Sequence, residues 1–152
     1  MHSTLSVVTA IVLPAAFTLA AALNGAPLDE ALAGWFAFWA VGARLAATGL
    51  NDLLRPRYTT ETIFRVTDRK ARGLTREIGF RNLALGTIGL GSLAFPGWVT
   101  PAAIGGAVLY ALAAAAHAMA RQRTPARMIA MGAELAVAGV LVVGAVWMQM
   151  EA

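Results

Sequence analysis

The sequence contains no cysteine and only two histidines. Without cysteine the chain has no disulfide bridge, no thiolate metal site and no cysteine nucleophile. Because His2 directly follows the first residue, His117 alone remains for the interior. One interior histidine cannot supply a paired-histidine haem site or a histidine-rich metal site, so we predict no metal and no cofactor. A site that uses His117 with either Met128 or Met131 stays open as an alternative.

Charged residues are also scarce, at 13% of the 152 residues. About a quarter of an average soluble domain is charged. Hydrophobic residues make up 59% of the chain, and the mean hydropathy is +0.67. This composition excludes an ordinary water-soluble domain and favours a protein that lies in a bilayer. The glycine-rich stretch 86–91 lies in an apolar run and lacks the lysine of a phosphate-binding loop, which indicates helix packing.

Five apolar runs approach the length of about 20 residues that a helix needs to cross a hydrocarbon core of roughly 30 Å. They cover residues 4–23, 31–54, 77–95, 101–120 and 128–149. We therefore expect an all-α fold, a polytopic transmembrane helical bundle of about five spans, in which residues 1–152 form a single transmembrane domain. The first run could be a cleaved secretory signal because it contains small residues, Ala20 to Ala22. No basic residue precedes it, however, so we expect a retained span.

The basic residues concentrate in two connections between these runs. All lysines and arginines except Arg44 lie in or beside them: Arg55, Arg57, Arg65, Arg69, Lys70, Arg72, Arg76, Arg81, Arg121, Arg123 and Arg127. The other connections, around residues 25–29 and 95–100, carry none. By the positive-inside rule the basic loop 55–76 and the connection before the last span are cytoplasmic. The N-terminus is then cytoplasmic as well, and the C-terminus lies on the other side.

The basic residues also suggest a partner. We expect seven of them to contact anionic lipid: Arg55, Arg57, Arg69, Lys70, Arg72, Arg121 and Arg123. Such contacts are typical of basic segments beside a membrane span, where the same charges set the orientation. No interleaved aromatic residues or known nucleic-acid-binding module accompany them, so nucleic acid is not an expected partner.

Three ionisable residues lie inside the predicted spans: Arg44, His117 and Glu134. Ionisable groups are costly in hydrocarbon, so those that remain there are the best candidates for a site. At about 1.5 Å per residue, Arg44 and Glu134 lie roughly 10 Å from the cytoplasmic ends of their helices and His117 about 6 Å. Asn82 and Glu77, at the start of the third span, belong to about the same layer.

Small residues share the helix faces of these polar groups, which indicates that the groups point into the bundle. We therefore predict a buried pair of Arg44 and Glu134, with His117, Asn82 and Glu77 nearby. One interpretation is structural, since an intramembrane arginine needs a counter-ion. The other is a pocket open to the cytoplasmic leaflet, in which Arg44 holds an anionic or carbonyl group and His117 or Glu134 exchanges a proton.

Several stretches resemble a group of short bacterial integral membrane proteins that form an uncharacterised domain family. The similarity lies in residues 35–45, 55–64, 76–86 and 101–106 and in His117. The helix end at 49–56 also resembles the DoxX-like four-helix membrane proteins, although Asn51 and Asp52 stand where a basic residue is expected. The resemblance implies a multi-pass protein of the bacterial cytoplasmic (inner) membrane. It supports Arg44, Glu77, Asn82 and His117 as site positions and implies no reaction.

Two classes of function follow from these observations. The first, which we favour, is a non-catalytic accessory, structural or lipid- or small-molecule-binding protein. Its partners would be membrane lipid and either further copies of the chain or the subunits of a larger membrane complex. The second is a membrane enzyme or proton-coupled carrier that acts on a lipid-like or quinone-like molecule at the buried layer of Arg44, His117 and Glu134.

Overall fold

A computed structural model describes residues 7–121 and 124–150, except for the side chain of residue 126. Over these residues the chain is helical and contains no strand, which confirms the predicted all-α class. The helices are α1 (Val8–Leu23), α2 (Leu28–Leu54), α3 (56–63), α4 (Ala71–Gly91), α5 (Val99–Met119) and α6 (Pro125–Met150). A short 3₁₀ turn, Pro96–Trp98, leads into α5.

Three helical stretches in the described part of the chain are long and apolar enough to cross a membrane. They are Leu28–Leu54, Pro96–Met119 and Arg127–Met150. α1 is apolar but shorter. α4 has sufficient length, but its first half carries four charged residues, Arg72, Arg76, Glu77 and Arg81, and so it lacks the apolar composition of the other three. The structure thus supports a helical membrane protein with three candidate spans among the five predicted.

The helix boundaries differ from the predicted runs where polar residues continue a helix. α4 begins at Ala71, six residues before the predicted span, because hydropathy does not mark a helical turn that carries arginine. It ends at Gly91, where the Ser92 hydroxyl donates to the Gly89 carbonyl, and Phe95 before Pro96 is extended. The predicted loop 55–76 therefore contains α3 and the first turns of α4. Residues 4–6 of the predicted first span lie outside the described residues.

α4 packs against α2 through glycine. A Cβ atom added at Gly89 would lie 2.4 Å from the Gly42 nitrogen, and one at Gly86 would lie 2.5 Å from the Ala46 nitrogen. A Cβ at Gly49 would meet the Gly79 carbonyl oxygen at 2.7 Å. The two backbones are therefore in direct contact, as in small-residue crossings within membranes. The predicted packing role of the glycines at 86 and 89 agrees with this contact.

The core lies between α2, α5 and α6 and consists mostly of small side chains. Larger side chains fill it at one level, where Val41, Tyr110, Val137 and Leu141 are fully buried. Gly106 allows this packing, since a Cβ there would lie 2.3 Å from Val41 Cγ2 and 3.1 Å from Leu141 Cδ1. This level separates the two ends of the α5–α6 pair.

Candidate functional site

The candidate site begins at a π-helical segment, Ala37–Ala43, in the middle of α2. The backbone N–H of Arg44 donates to the Trp39 carbonyl, five residues earlier, and not to the Ala40 carbonyl that an α-helix would use. The Ala40 carbonyl instead accepts a hydrogen bond from the buried hydroxyl of Tyr110 on α5. π-helical turns inside α-helices are frequent at functional sites, and this one places Arg44 directly after it.

Arg44 lies over the ring of Tyr110, with its guanidinium carbon 4.9 Å from the ring centroid. A cation held at this distance over an aromatic face is attracted by the electron-rich ring. Arg44 is half-buried and Tyr110 is fully buried. Tyr110 therefore joins α2 to α5 twice, through its hydroxyl group and through its ring.

His117 and Glu134 meet where the end of α5 lies beside the start of α6. Their Nε2 and Oε2 atoms are 3.6 Å apart, which is too long for a direct hydrogen bond. The Glu134 side chain is 11% exposed and the His117 side chain 33%. Within the described chain Glu134 Oε2 is a buried oxygen without a hydrogen-bond partner. The pair is an ion pair only while His117 carries a proton, so the histidine provides the polar link between a buried carboxylate and the outside.

The predicted direct pair of Arg44 and Glu134 is not formed. Over residues 7–121 and 124–150, no nitrogen of Arg44 lies within 4.0 Å of a Glu134 oxygen. Arg44 binds the face of Tyr110 instead, and Glu134 approaches His117. The contact of Arg44 with the aromatic ring of Tyr110 could not be anticipated from the positions of the charges.

The two remaining predicted site residues lie on α4. Glu77 is exposed and Asn82 is half-buried. Among the described residues, no hydrogen bond or ion pair joins either of them to Arg44, Tyr110 or Glu134. α4 packs mainly on α2 and not on α6, the helix that carries Glu134.

A cavity of about 100 Å³ lies beside His117 and is lined by His117, Ala118, Arg127, Met128 and Met131. The hydroxyl of Thr124 caps the start of α6 by accepting the Arg127 N–H at 3.3 Å. Sequence reasoning did not assign Arg127 to the site. Its spacing of seven residues from Glu134, two helical turns, is the signal that places both on one face. The cavity therefore combines an imidazole, a guanidinium and two thioethers.

A second polar cluster, missed by sequence reasoning, lies where α3 meets α2 and α4. Asp52 is 3% exposed and accepts a hydrogen bond from the Thr59 hydroxyl at 2.7 Å. Asn51 donates to the same hydroxyl at 3.3 Å, and the hydroxyls of Thr60 and Thr75 are 2.8 Å apart. We call Asp52, Thr59, Thr60 and Thr75 the threonine cluster. It fixes α3 to the ends of both neighbouring helices.

Most of the predicted lipid-contacting residues that the structure describes are exposed. Exposed are Arg55, Arg57, Arg69, Lys70 and Arg121; Arg72 is half-buried, and Arg123 lies outside the described residues. Two of them also bind Glu61, whose oxygens accept from Arg57 at 2.9 Å and from Arg72 at 2.7 Å. The hydrogen bonds from Arg57 and then Arg72 lower the pKa of Glu61 below its usual value. Glu61 therefore remains charged and restrains part of the basic surface.

The opposite end of the α5–α6 pair contains an apolar groove of about 510 Å³. Its lining residues are Thr100, Ile104, Ala107, Val108, Val142, Ala145, Val146, Gln149 and Met150. The fully buried level of Tyr110 and Leu141 lies between this groove and the cavity beside His117. The polar cavity and the apolar groove therefore lie at opposite ends of the α5–α6 pair.

The described residues contain no group of three or more histidine, aspartate or glutamate side chains arranged to hold a metal ion. Comparison with protein-family models, with curated proteins and with solved structures finds no match to this chain, so the family resemblance stays a prediction.

Proposed function

We propose that this chain is a non-catalytic membrane protein that binds the anionic head of a small amphiphile in the cavity between α5 and α6. The observation that carries the proposal is the lining of the cavity, which combines His117 and Arg127 with two methionines. Arg127 supplies a permanent positive charge and His117 a switchable one. Met128 and Met131 supply adaptable apolar contact. About 100 Å³ suits a headgroup and is below the roughly 300–1,000 Å³ of a complete small-molecule site, so the apolar tail would lie in lipid.

The proposed placement is a five-span arrangement with a cytoplasmic N-terminus. If α4 did not cross, the basic residues beside α3 and those before α6 would lie on opposite sides, against the positive-inside rule. α4 also lies antiparallel to α2, since Gly42 contacts Gly89 while Gly49 contacts Gly79. Gly89 therefore lies beside the middle of α2, a helix that is itself long enough to cross the membrane. This contact supports α4 as a fourth helix that crosses the hydrophobic layer. α1 completes the five.

The bacterial cytoplasmic membrane and the uncharacterised, distantly DoxX-like family remain part of the proposal. The family proposal rests on the sequence resemblance of residues 35–45 and 76–86. The membrane proposal rests on that resemblance and on the basic residues grouped at one end of the bundle. The exposed cations among the seven predicted lipid contacts suit the anionic headgroups of such a leaflet.

A second copy, or the subunit of a larger complex, would fit against the outer face of α6. Gly132 and Gly139 lie two turns apart on this face, and a Cβ at either would meet open space. Small residues allow close approach of helices in a membrane. The assembly proposal rests on this face.

One observation favours a second function, that of a proton-coupled carrier or an enzyme that acts on a lipid-like or quinone-like molecule. Glu134 Oε2 is buried, lacks a hydrogen-bond partner in the described chain and lies 3.6 Å from His117. Because His117 also lines the cavity, a proton could pass between a ligand in the cavity and Glu134 through the imidazole. Glu134 would then hold the proton and His117 would transfer it.

The test is purification of the full chain in mild detergent, followed by absorption spectroscopy and native mass spectrometry of retained molecules. We expect no visible absorbance and one stoichiometric anionic amphiphile. Short-chain phosphatidic acid should then bind about tenfold more weakly to Arg127→Gln, as expected for the loss of one charge-assisted hydrogen bond. Arg81→Gln, which removes an exposed charge on α4 outside the cavity, is the matched control and should bind as the parent does.

Three outcomes would contradict the proposal. Equal affinity of Arg127→Gln and the parent for phosphatidic acid would exclude the cavity as the binding site. A chemically altered amphiphile, or visible absorbance, would favour the second function. A stable companion subunit together with an empty cavity would leave a purely structural role.

A further inference from the structure

The segment 55–70, which comprises α3 and the turn after it, has a polarity opposite to that of a helix in water. We call it the strap. Its bundle-facing side buries Thr59 and Thr60, whereas Tyr58, Ile63 and Phe64 are 46%, 39% and 49% exposed. In water the threonines would face outward and the phenylalanine inward. The outer side of the strap therefore suits surroundings that are less polar than water.

The apolar side chains on the outside of the strap lie among cations. Exposed basic residues of the strap are Arg55, Arg57, Arg65, Arg69 and Lys70. The strap contains two carboxylates, Glu61 and Asp68, and Glu61 forms ion pairs with Arg57 and Arg72. The outer surface thus combines a net positive charge with exposed aromatic and aliphatic side chains. Helices that lie in the interface of anionic membranes have this combination.

The threonine cluster fixes this arrangement. Thr59 is bonded to Asp52 of α2, and the Thr60 hydroxyl lies at hydrogen-bond distance from that of Thr75 of α4. The Val66 N–H donates to the Thr60 carbonyl at 3.0 Å, and Arg65 reverses the chain with a φ of 57°. Rotation of α3 to hide its apolar side would break the buried hydrogen bonds of Thr59 and Thr60, which costs free energy. The outward display of Phe64 is therefore built into the fold.

We propose that the outer surface of the strap binds the anionic headgroup layer of the cytoplasmic leaflet, with Tyr58, Ile63 and Phe64 inserted below the phosphates and the cations beside them. Charge complementarity selects anionic lipid over a zwitterionic surface. The strap joins the ends of α2 and α4, where Leu54 and Leu74 are also exposed, so its apolar side continues the lipid-facing surface of those helices. This inference rests on the proposed membrane placement of α2 and α4.

Because the chain has no cysteine, single cysteines can carry nitroxide labels without background. The full protein would be reconstituted in nanodiscs of phosphatidylcholine with and without phosphatidylglycerol. Accessibility to oxygen and to a water-soluble nickel complex gives the depth of each label. We expect Phe64→Cys to report lipid and Thr67→Cys, exposed on the same strap, to report water. Removal of phosphatidylglycerol should move the Phe64→Cys label toward water.

Charge variants give the size of the effect. Lys70→Gln should reduce the lipid-to-water partition of the Phe64→Cys label about fivefold, the contribution of one basic residue near an anionic surface. Arg81→Gln, on α4 beyond the strap, should leave it unchanged. Equal water accessibility at Phe64→Cys and Thr67→Cys in both lipid mixtures would overturn the inference. So would close distances between strap labels of different copies, which would identify a second copy as the occupant.

A label on Leu112, exposed in the apolar part of α5, distinguishes the strap inference from the membrane placement on which it rests. If Leu112→Cys reports lipid and Phe64→Cys reports water, the strap inference fails and the membrane placement stands. If both report water, the membrane placement itself fails.

Discussion

At the scale of single residues, Tyr110 connects the backbone irregularity of α2 to the charges of the candidate site. Its hydroxyl satisfies the Ala40 carbonyl at the π-helical segment, and its ring lies beneath Arg44. A buried carbonyl without a hydrogen-bond partner costs free energy. The tyrosine therefore both permits the π-helical turn and positions the arginine that follows it.

Tyr110→Phe isolates the contribution of the hydroxyl. The ring remains beneath Arg44, but the Ala40 carbonyl loses its donor, so we expect the free energy of unfolding to fall by about 1–2 kcal/mol. Equilibrium unfolding in mixed micelles, followed by circular dichroism, measures this difference. Tyr58→Phe is the matched control because its hydroxyl is on the exposed side of α3, and it should change stability little. Equal stability of the two variants would show that the Tyr110 hydroxyl contributes nothing.

At the scale of helices, the glycines of α4 determine how closely it approaches α2. Gly79, Gly86 and Gly89 each face backbone or small side chains of α2 within van der Waals distance. Small residues let the two backbones approach closely, which favours packing between helices. This contact also explains how a helix with several charged residues in its first half remains attached to the bundle.

Gly89→Ala tests this contact. Its added methyl group would meet the Gly42 nitrogen at 2.4 Å and the Ala37 carbonyl oxygen at 2.8 Å, so the helices must separate. We expect a loss of about 1–3 kcal/mol, as for other overpacked sites, and a lower Tm in detergent. Gly73→Ala, also on α4 but with open space around it, should be neutral or slightly stabilising because alanine favours helix. Equal Tm values for the Gly89→Ala and Gly73→Ala variants would contradict the close contact.

At the scale of the whole molecule, hydropathy predicted the fold class but not the strap. α2, α5 and α6 were predictable because their length and apolar composition are imposed by the bilayer. α3 was not, because its stability comes from tertiary hydrogen bonds of Thr59 and Thr60 and not from periodicity. Glu134 approaches His117 and not Arg44, because Arg44 lies over Tyr110, a residue without formal charge that a search for charged partners does not find.

The number of spans can be tested because the predicted arrangements place two residues differently. With five spans Gly97 and Arg69 lie on opposite sides of the membrane, whereas with α2, α5 and α6 alone they lie on the same side. A membrane-impermeant maleimide applied to intact bacterial cells that express the chain should label Gly97→Cys and not Arg69→Cys. Permeabilised cells should label both, which controls for reactivity. Gly97 has open space around it and Arg69 is exposed, so neither substitution should disturb packing.

The same labelling decides the orientation of the first helix. If α1 crosses, Asn24→Cys reacts in intact cells and Ser3→Cys reacts only after permeabilisation. Labelling of Arg69→Cys in intact cells would show that the basic strap lies outside, which is the opposite of the proposed orientation. Labelling of Gly97→Cys and Arg69→Cys on one side would mean that α4 returns without crossing. In that arrangement the cations before α6 would lie across the membrane from the strap, and the anionic-lipid surface and the polar cavity would no longer share a leaflet.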